Sequence, residues 1–406
     1  MKKILPIFII SLILLTSCGN DAKPTIYDIR NKEINVINQT NLPEVKTILN
    51  TENKGLADYQ TQKKEAEVIF KSEGKIHSSI LINDGVLFFG NENCDFYAVD
   101  IKTKKKKWQY KSDDKVETMP IFTDGKIIFN SGNSLYILNA KNGKQIGKVT
   151  HASKNEGRLS EENYSFNDSK TAINASTAYF IALNGDLVAV DINSGKEIWS
   201  VKTKDNSPAD SGINYYDGKL YWCDSLKMFN CFDISKKEMK YQIDLGGRIF
   251  APMLIDHGKI YIAGRNCIMY CIEGESGKVL WRSHSVDKST WFSGGSVCIG
   301  DTLYSCTSDE YTLVSFNKNT GEFNRIYPTE TNAYTSPVIN NDNIIVAATD
   351  VYRLNKSYIM EFDTKNNTKL WQTELPDCVL SSPAIYDNAV YFGSDSGKIY
   401  SIKCYN

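Results

Sequence analysis

The stretch Asn184–Lys202, NGDLVAVDINSGKEIWSVK, decides the fold. Leu187–Asp191 reads as a strand, because Leu187, Ala189 and Asp191 alternate with Val188 and Val190. Asn193–Gly195 supplies residues that tolerate the positive φ of a tight reversal. Ile198–Trp199 then opens a second strand. A lone hairpin of this kind is not stable in water, so its meaning lies in its relatives along the chain.

Those relatives share one register. Asp84-Gly85, Asp124-Gly125, Asp217-Gly218 and Asp256-His257-Gly258 each open a short apolar strand followed by a second one. Thr177, Gly300-Asp301, Asn341–Asn343 and Asp387-Asn388 hold the same place in the other copies. With Asp84, Asp124, Thr177, Asp217, Asp256, Gly300, Asp342 and Asp387 as equivalents, the steps are 40, 53, 40, 39, 44, 42 and 45 residues. A period of about 40–50 residues with four strands per copy marks a β-propeller. Each copy supplies strand A before the turn, strand B after it, strand C with its Tyr-x-x-Asp-like pattern, and strand D opening near a tryptophan. The last copy stops at Asn406, directly after strand C. Glu67–Lys71, EVIFK, precedes the first copy and has no blade of its own. The expectation is therefore all-β: an eight-bladed propeller of four-stranded antiparallel blades over 65–406, closed when Glu67–Lys71 completes the last blade. Closure removes exposed sheet edges between the first and last blades.

Composition agrees. The 406 residues are 41% hydrophobic and 23% charged, with 26 glycines and 23 tyrosines against 10 prolines. That balance suits many short strands and turns better than helices. A formal net charge of −1 gives no electrostatic footprint for nucleic acid. Residues 1–17 read as a targeting signal: Lys2 and Lys3, an apolar run Ile4–Leu15 too short for a permanent span, then Leu15-Thr16-Ser17-Cys18. Small residues before Cys18 resemble the lipobox of bacterial lipoproteins. The resemblance implies cleavage before Cys18 and its lipidation, which moves the formal charge to −3 and ties the protein to a membrane. Residues 18–64 are polar and lack the strand-turn pattern, and they read as a lipidated tether with room for a short helix near Pro43–Leu49.

Cysteine and histidine usage is informative mostly by what it disfavours. Nine cysteines remain after Cys18, an odd number, so at least one thiol lacks an intrachain partner. Cys223 and Cys231 lie on two arms of one hairpin and can be drawn as a pair; the connectivity stays open. Cys267-x3-Cys271 has nearly zinc-like spacing but falls in a strand-like stretch, which favours small buried hydrophobes over a metal site. His77, His151, His257 and His284 show no metal spacing, and the expectation for them is surface or turn positions. Lys104–Lys107 reads as a solvated turn.

The pattern Tyr-Ala-Val-Asp, then Thr/Ser-Gly-Lys, then Trp resembles the PQQ-like (quinoprotein) repeat family. FYAVDIKTKKKKW at 96–108, LVAVDINSGKEIW at 187–199, MYCIEGESGKVLW at 269–281 and MEFDTKNNTKLW at 360–371 carry it. By that resemblance Trp108, Trp199, Trp281 and Trp371 dock neighbouring blades. Copies two, four and six carry Ile146, Tyr241 and Phe323 near that position, where weaker docking is expected. Quinoprotein dehydrogenases of the family hold PQQ and calcium, with a carboxylate base and often a vicinal cysteine pair. This chain has no Cys-Cys pair and no local acidic cluster that stands out, so neither cofactor is expected. A lipobox with eight repeats resembles instead the lipid-anchored propellers of outer-membrane β-barrel assembly, although fold alone does not carry function.

The leading expectation is a non-catalytic, monomeric, lipid-anchored propeller that binds proteins or peptides in the bacterial envelope, at the outer membrane with its leaflet open. The alternative is a ligand or carbohydrate sensor, or a PQQ-dependent dehydrogenase-like enzyme, working at the central mouth. The candidate binding face comprises Arg248, Trp291, Phe292 and Tyr334, which stand at entrances to innermost strands. Thr150–Thr171 is the main insertion, equally suited to a functional loop and to a surface excursion.

Overall fold

The computed structural model describes residues 23–46, 62–151, 171–203, 207–284, 291–350, 352 and 355–404. The expected signal at residues 1–17, Cys18 and most of the Thr150–Thr171 insertion lie outside the described residues. Eight sheets, each built on four antiparallel strands, follow one another around a ring. Blade 1 spans Leu81–Lys111, blade 2 Ile121–Thr150, blade 3 Thr171–Lys202, blade 4 Asn214–Asp244, blade 5 Leu254–His284, blade 6 Phe292–Pro328 and blade 7 Val338–Leu375. Blade 8 takes its first three strands from Ala384–Lys403.

The N-terminal part supplies four strands: β1 (Thr25–Asp28), β2 (Val36–Ile37), β3 (Val45–Lys46) and β4 (Glu67–Lys71). β4 pairs antiparallel with Lys398–Lys403 and is the fourth strand of blade 8, as the sequence predicts. Every blade shows a register shift between strands C and D, such as that between Ala189 and Val190. A bulge at this point increases the local twist, so the repeat is one of backbone shape as well as of residues.

The hydrophobic core is divided into eight clusters, each shared by two successive blades. Tyr221 and Cys231 of blade 4, for example, pack with Ile260 and Tyr270 of blade 5. Each blade thus buries both faces against its neighbours, which is why its strands read as apolar runs. Strand polarity sorts the connections: A–B and C–D turns emerge on one face, B–C turns and D–A loops on the other. We call the latter the mouth face.

The tether expectation changes over 25–46. β1, β2 and β3 each run parallel to the outer strand of blades 3, 4 and 5 respectively. Val45–Lys46 is thus extended where room for a helix was expected. Gln62 forms a further parallel bridge to Trp371 of blade 7. These segments cap outer edges that would otherwise expose unpaired N–H and C=O groups.

The nine described cysteines are free. Cys223 sits opposite Phe229 and Cys231 opposite Tyr221, so the two are diagonal neighbours, about 7–8 Å apart in such a ladder. That is too far for a disulfide without backbone movement. Cys267 and Cys271 are buried in the blade 5 hairpin, and burial pushes the Cys271 thiol up to about 11.

Candidate functional site

Framework and site separate by face. Near the C–D turns, Trp108 Nε1 donates to the Ala140 carbonyl of blade 2 (2.9 Å), and Trp281 Nε1 to the Lys318 carbonyl of blade 6 (3.1 Å). Gly143 and Gly321 have positive φ and lie flat against these indoles. A Cβ there would come within 2.6 and 2.5 Å of the rings. Trp199 lies under the ammonium of Lys237 in blade 4, 4.6 Å from the ring centre. Tyr241 makes the same kind of contact as the tryptophans: it is buried, and its hydroxyl donates to the Gly274 carbonyl of blade 5 (2.7 Å). At Ile146 the contact is backbone on backbone, Gly147 against Gly195. Near Phe323 the hydroxyl of Tyr327 reaches Asn367 of blade 7 (3.0 Å). So copies four and six dock through hydrogen bonds of their own.

Trp371 differs because blade 8 has no C–D turn to receive it. Its Nε1 donates to Glu361, a fully buried carboxylate that also accepts from Asn340 (2.7 Å) and Asn343 (3.1 Å). Lys64, from the segment entering β4, covers the ring at 5.7 Å. Lys104–Lys107 lies at the blade 1 C–D turn, with Lys107 near Asp100 of its own blade and Lys104 paired with Glu67 of β4 in blade 8.

On the mouth face, the sequence-selected residues divide. Phe292 is buried and packs on Phe316, so it belongs to the core between blades 5 and 6. Alternation explains this: its neighbour Trp291 points out and is 40% exposed. Arg248 donates to both carboxylate oxygens of the buried Asp210, 2.7 Å each. Its guanidinium also lies over Phe250 at 4.6 Å. Tyr334 is half-buried, and its phenol stands close enough to Arg265 to interact with it electrostatically.

Arg265 joins these groups, and the sequence reading did not select it. Its guanidinium lies 4.6 Å from the Phe250 ring centre and 4.4 Å from that of Trp291. The backbone fixes this arrangement. Arg265 N–H donates to the Arg248 carbonyl (3.1 Å), Phe292 N–H to Gly264 (3.4 Å) and Ser308 N–H to Trp291 (3.0 Å). Burial holds the Arg265 guanidinium below its usual range.

A second sector occupies the same face at blades 8, 1 and 2. His77 Nε2 faces Asp395 at 2.8 Å and its Nδ1 faces Glu92 at 3.1 Å. Lys75 pairs with Asp395 (3.2 Å) and Lys115 with Glu117 (2.8 Å). Ligand atoms of His77, Glu92 and Glu117 lie within 4.8 Å of one another, so these residues have the reach to hold a cation. His151, at the root of the insertion, sits between Glu197 (2.8 Å) and Asp186 (3.6 Å). Hydrogen bonding to Asp186 and Glu197 raises it to about 9 against the cost of burial. These two histidines are partly buried network members, contrary to the surface or turn expectation; His257 is exposed in its turn, as expected.

Glu92, Ser225, Arg265 and Asp395 hold the same place in their B–C turns. Each is followed two residues later by a left-handed residue: Cys94, Lys227, Cys267 and Gly397. Blade 5 alone of these four puts a cation there.

Comparison with known proteins agrees with this architecture. The protein-family model described as outer membrane protein assembly factor BamB matches residues 46–227 and 183–406. No curated protein sequence matches the chain. Among solved structures, BamB from Moraxella catarrhalis aligns with a TM-score of 0.64 at 14% identity, covering 85% of this chain and 100% of that one. Sqt1 from Saccharomyces cerevisiae aligns with a TM-score of 0.65 at 10% identity, covering 85% and 99%. A europium-containing methanol dehydrogenase aligns with a TM-score of 0.61 at 11% identity, covering 81% and 85%. At these identities the structural likenesses show the ring fold alone.

Proposed function

We propose, from the premise that this chain belongs to the family of outer membrane protein assembly factor BamB, that it is a lipid-anchored, non-catalytic propeller binding proteins or peptides in the bacterial envelope. The observation that carries the reading is the mouth sector of blades 4–6. There two arginines and two aromatic rings are set on hydrogen-bonded loops, with Trp291 left 40% exposed. Tryptophan and arginine are the residue types most enriched in binding hot spots. A role in outer-membrane assembly follows from the family description, and PQQ and calcium have no part in it.

Lipidation of Cys18 and a monomeric ring at the outer membrane complete the reading. Cys18 lies seven residues before Thr25, which opens β1 on blade 3. Seven residues span at most about 25 Å. A chain of 18–64 without attachments would have much greater reach, so the β1 pairing holds the ring close to its anchor.

The test is affinity purification of the lipidated chain from solubilised envelopes, with partners identified by mass spectrometry. A stable envelope protein that is lost with Trp291→Ala supports the reading; its retention in that variant counts against a mouth-face site. Metabolic labelling with an alkynyl fatty acid checks the anchor, with no label expected in Cys18→Ala. The enzymatic alternative is checked by dye reduction with added PQQ and calcium, where turnover would overturn the non-catalytic reading.

A further inference from the structure

Arg265 is half-buried, yet among the described residues no carboxylate lies within ion-pair distance of it. Its neighbour Arg248 is already neutralised by two hydrogen bonds to Asp210. The Arg265 guanidinium packs against two aromatic rings, 4.6 Å from the centre of Phe250 and 4.4 Å from that of Trp291. Ring contacts thus engage the guanidinium, while among the described residues its N–H edges make no hydrogen bond or ion pair. We propose that the N–H edge of Arg265 is a binding site for a carboxylate of an acidic peptide segment, with Trp291 receiving the apolar side chain beside it. This rests on the protein-binding reading above and names the chemistry that the partner must present.

A half-buried cation with no counter-ion among the described residues is costly, and a charge of this kind set against aromatic rings marks a functional position. A guanidinium presents parallel N–H groups that match the two oxygens of a carboxylate. Contact with two rings immobilises that fork in advance, which lowers the ordering cost of binding. The neighbouring charges then select among anions. Asp210 and Asp309 both act on Arg265. A dianion such as phosphate meets both of them, whereas a monoanionic carboxylate meets less repulsion. Trp291, 40% exposed and stacked on the same guanidinium, offers apolar surface directly beside the charge. The best-fitting ligand is thus a peptide with an acidic residue adjacent to an aromatic or aliphatic one.

Isothermal titration of the full-length protein tests this with acetyl-Gly-Glu-Phe-Gly-Ser-amide, its Gln counterpart and inorganic phosphate, all at one ionic strength. The Glu peptide should bind at least about 10-fold more tightly than the Gln peptide. Arg265→Gln should abolish that preference. Arg265→Lys, which keeps the charge but not the planar fork, should weaken the Glu peptide about 5–10-fold. Asp124→Asn, in an exposed A–B turn on the opposite face, should change nothing. Thermal melts of each variant separate lost binding from lost folding. Equal affinity for the two peptides, binding of neither, phosphate displacing the Glu peptide at comparable concentration, or a preference that survives Arg265→Gln would each overturn the proposal. If an envelope partner still depends on Trp291 while the Glu peptide fails, the carboxylate site falls and the protein-binding reading stands.

Discussion

At one turn position, blades 8 and 1 carry Asp395 and Glu92, and blade 5 carries Arg265. Around the two acids the charges close on themselves: His77 faces both of them, and Lys75 binds Asp395. Around Arg265 one pair closes, Arg248 with Asp210, and one cation is left stacked on aromatic rings. The backbone is the same in both sectors, with a B–C turn bonded to its own D–A loop: Glu92 to Lys75, Asp395 to Cys378 and Arg265 to Arg248. The difference therefore lies in side chains alone. A sector whose charges are satisfied internally stabilises the ring. A sector with an unsatisfied, immobilised cation has something left to offer a partner.

Breaking the closed pair of the arginine sector should have the largest effect. Arg248→Ala leaves Asp210 buried without a counter-charge and should cost about 3 kcal/mol in denaturant unfolding. Asp210→Asn in the same chain should return part of that loss, because the stranded charge is then gone. A cost below 1 kcal/mol would mean that Asp210 finds another partner.

The histidine flanked by two acids at blades 2 and 3 extends the comparison to pH. His151 is raised from 6.5 to about 9 in the folded protein. Its contribution is therefore fully present below about pH 6.5 and is lost as pH rises through about 9, a loss on the order of 2 kcal/mol. Unfolding measured across that window should show the decline, and Glu197→Gln should flatten it. A flat profile in the unmodified chain would contradict the network.

Smaller effects belong to the remaining charges. His77→Gln removes charge-assisted contacts to Asp395 and Glu92 and should destabilise by about 1–2 kcal/mol. Arg265→Gln loses ring contacts and the more distant attraction of Asp210 and Asp309, and should cost about 1 kcal/mol or less. The comparison is sharpest here: the cation of the mouth that matters least for folding should matter most for binding.

Much of the ring was legible because its signals are local and repeated. Asp-Gly turns, alternating strands and the surplus strand Glu67–Lys71 each state their place within a few residues. The straps were not legible. β1, β2 and β3 are two to four residues long and pair with finished edges, so the information that places them lies in blades 3–5. The site was half legible. Trp291 and Arg248 stood out at strand entrances, but Phe292 was assigned to the face although alternation sends it inward. Arg265 was missed because its neighbours Arg248 and Trp291 are distant in sequence, and only alignment of the B–C turns makes it exceptional. His77 was missed for the same reason, since Asp395 lies at the other end of the chain.

The central claim, that the protein-binding part of the mouth is the arginine–aromatic sector, is tested most directly by site-specific photo-crosslinking in intact envelopes. A photoreactive phenylalanine analogue is placed at Trp291 in one variant and at Glu117 in another. We expect a discrete crosslinked protein band from position 291 that is lost when Arg265→Gln is added, and none from position 117. Equal crosslinking from both positions, or from 117 alone, would contradict the account.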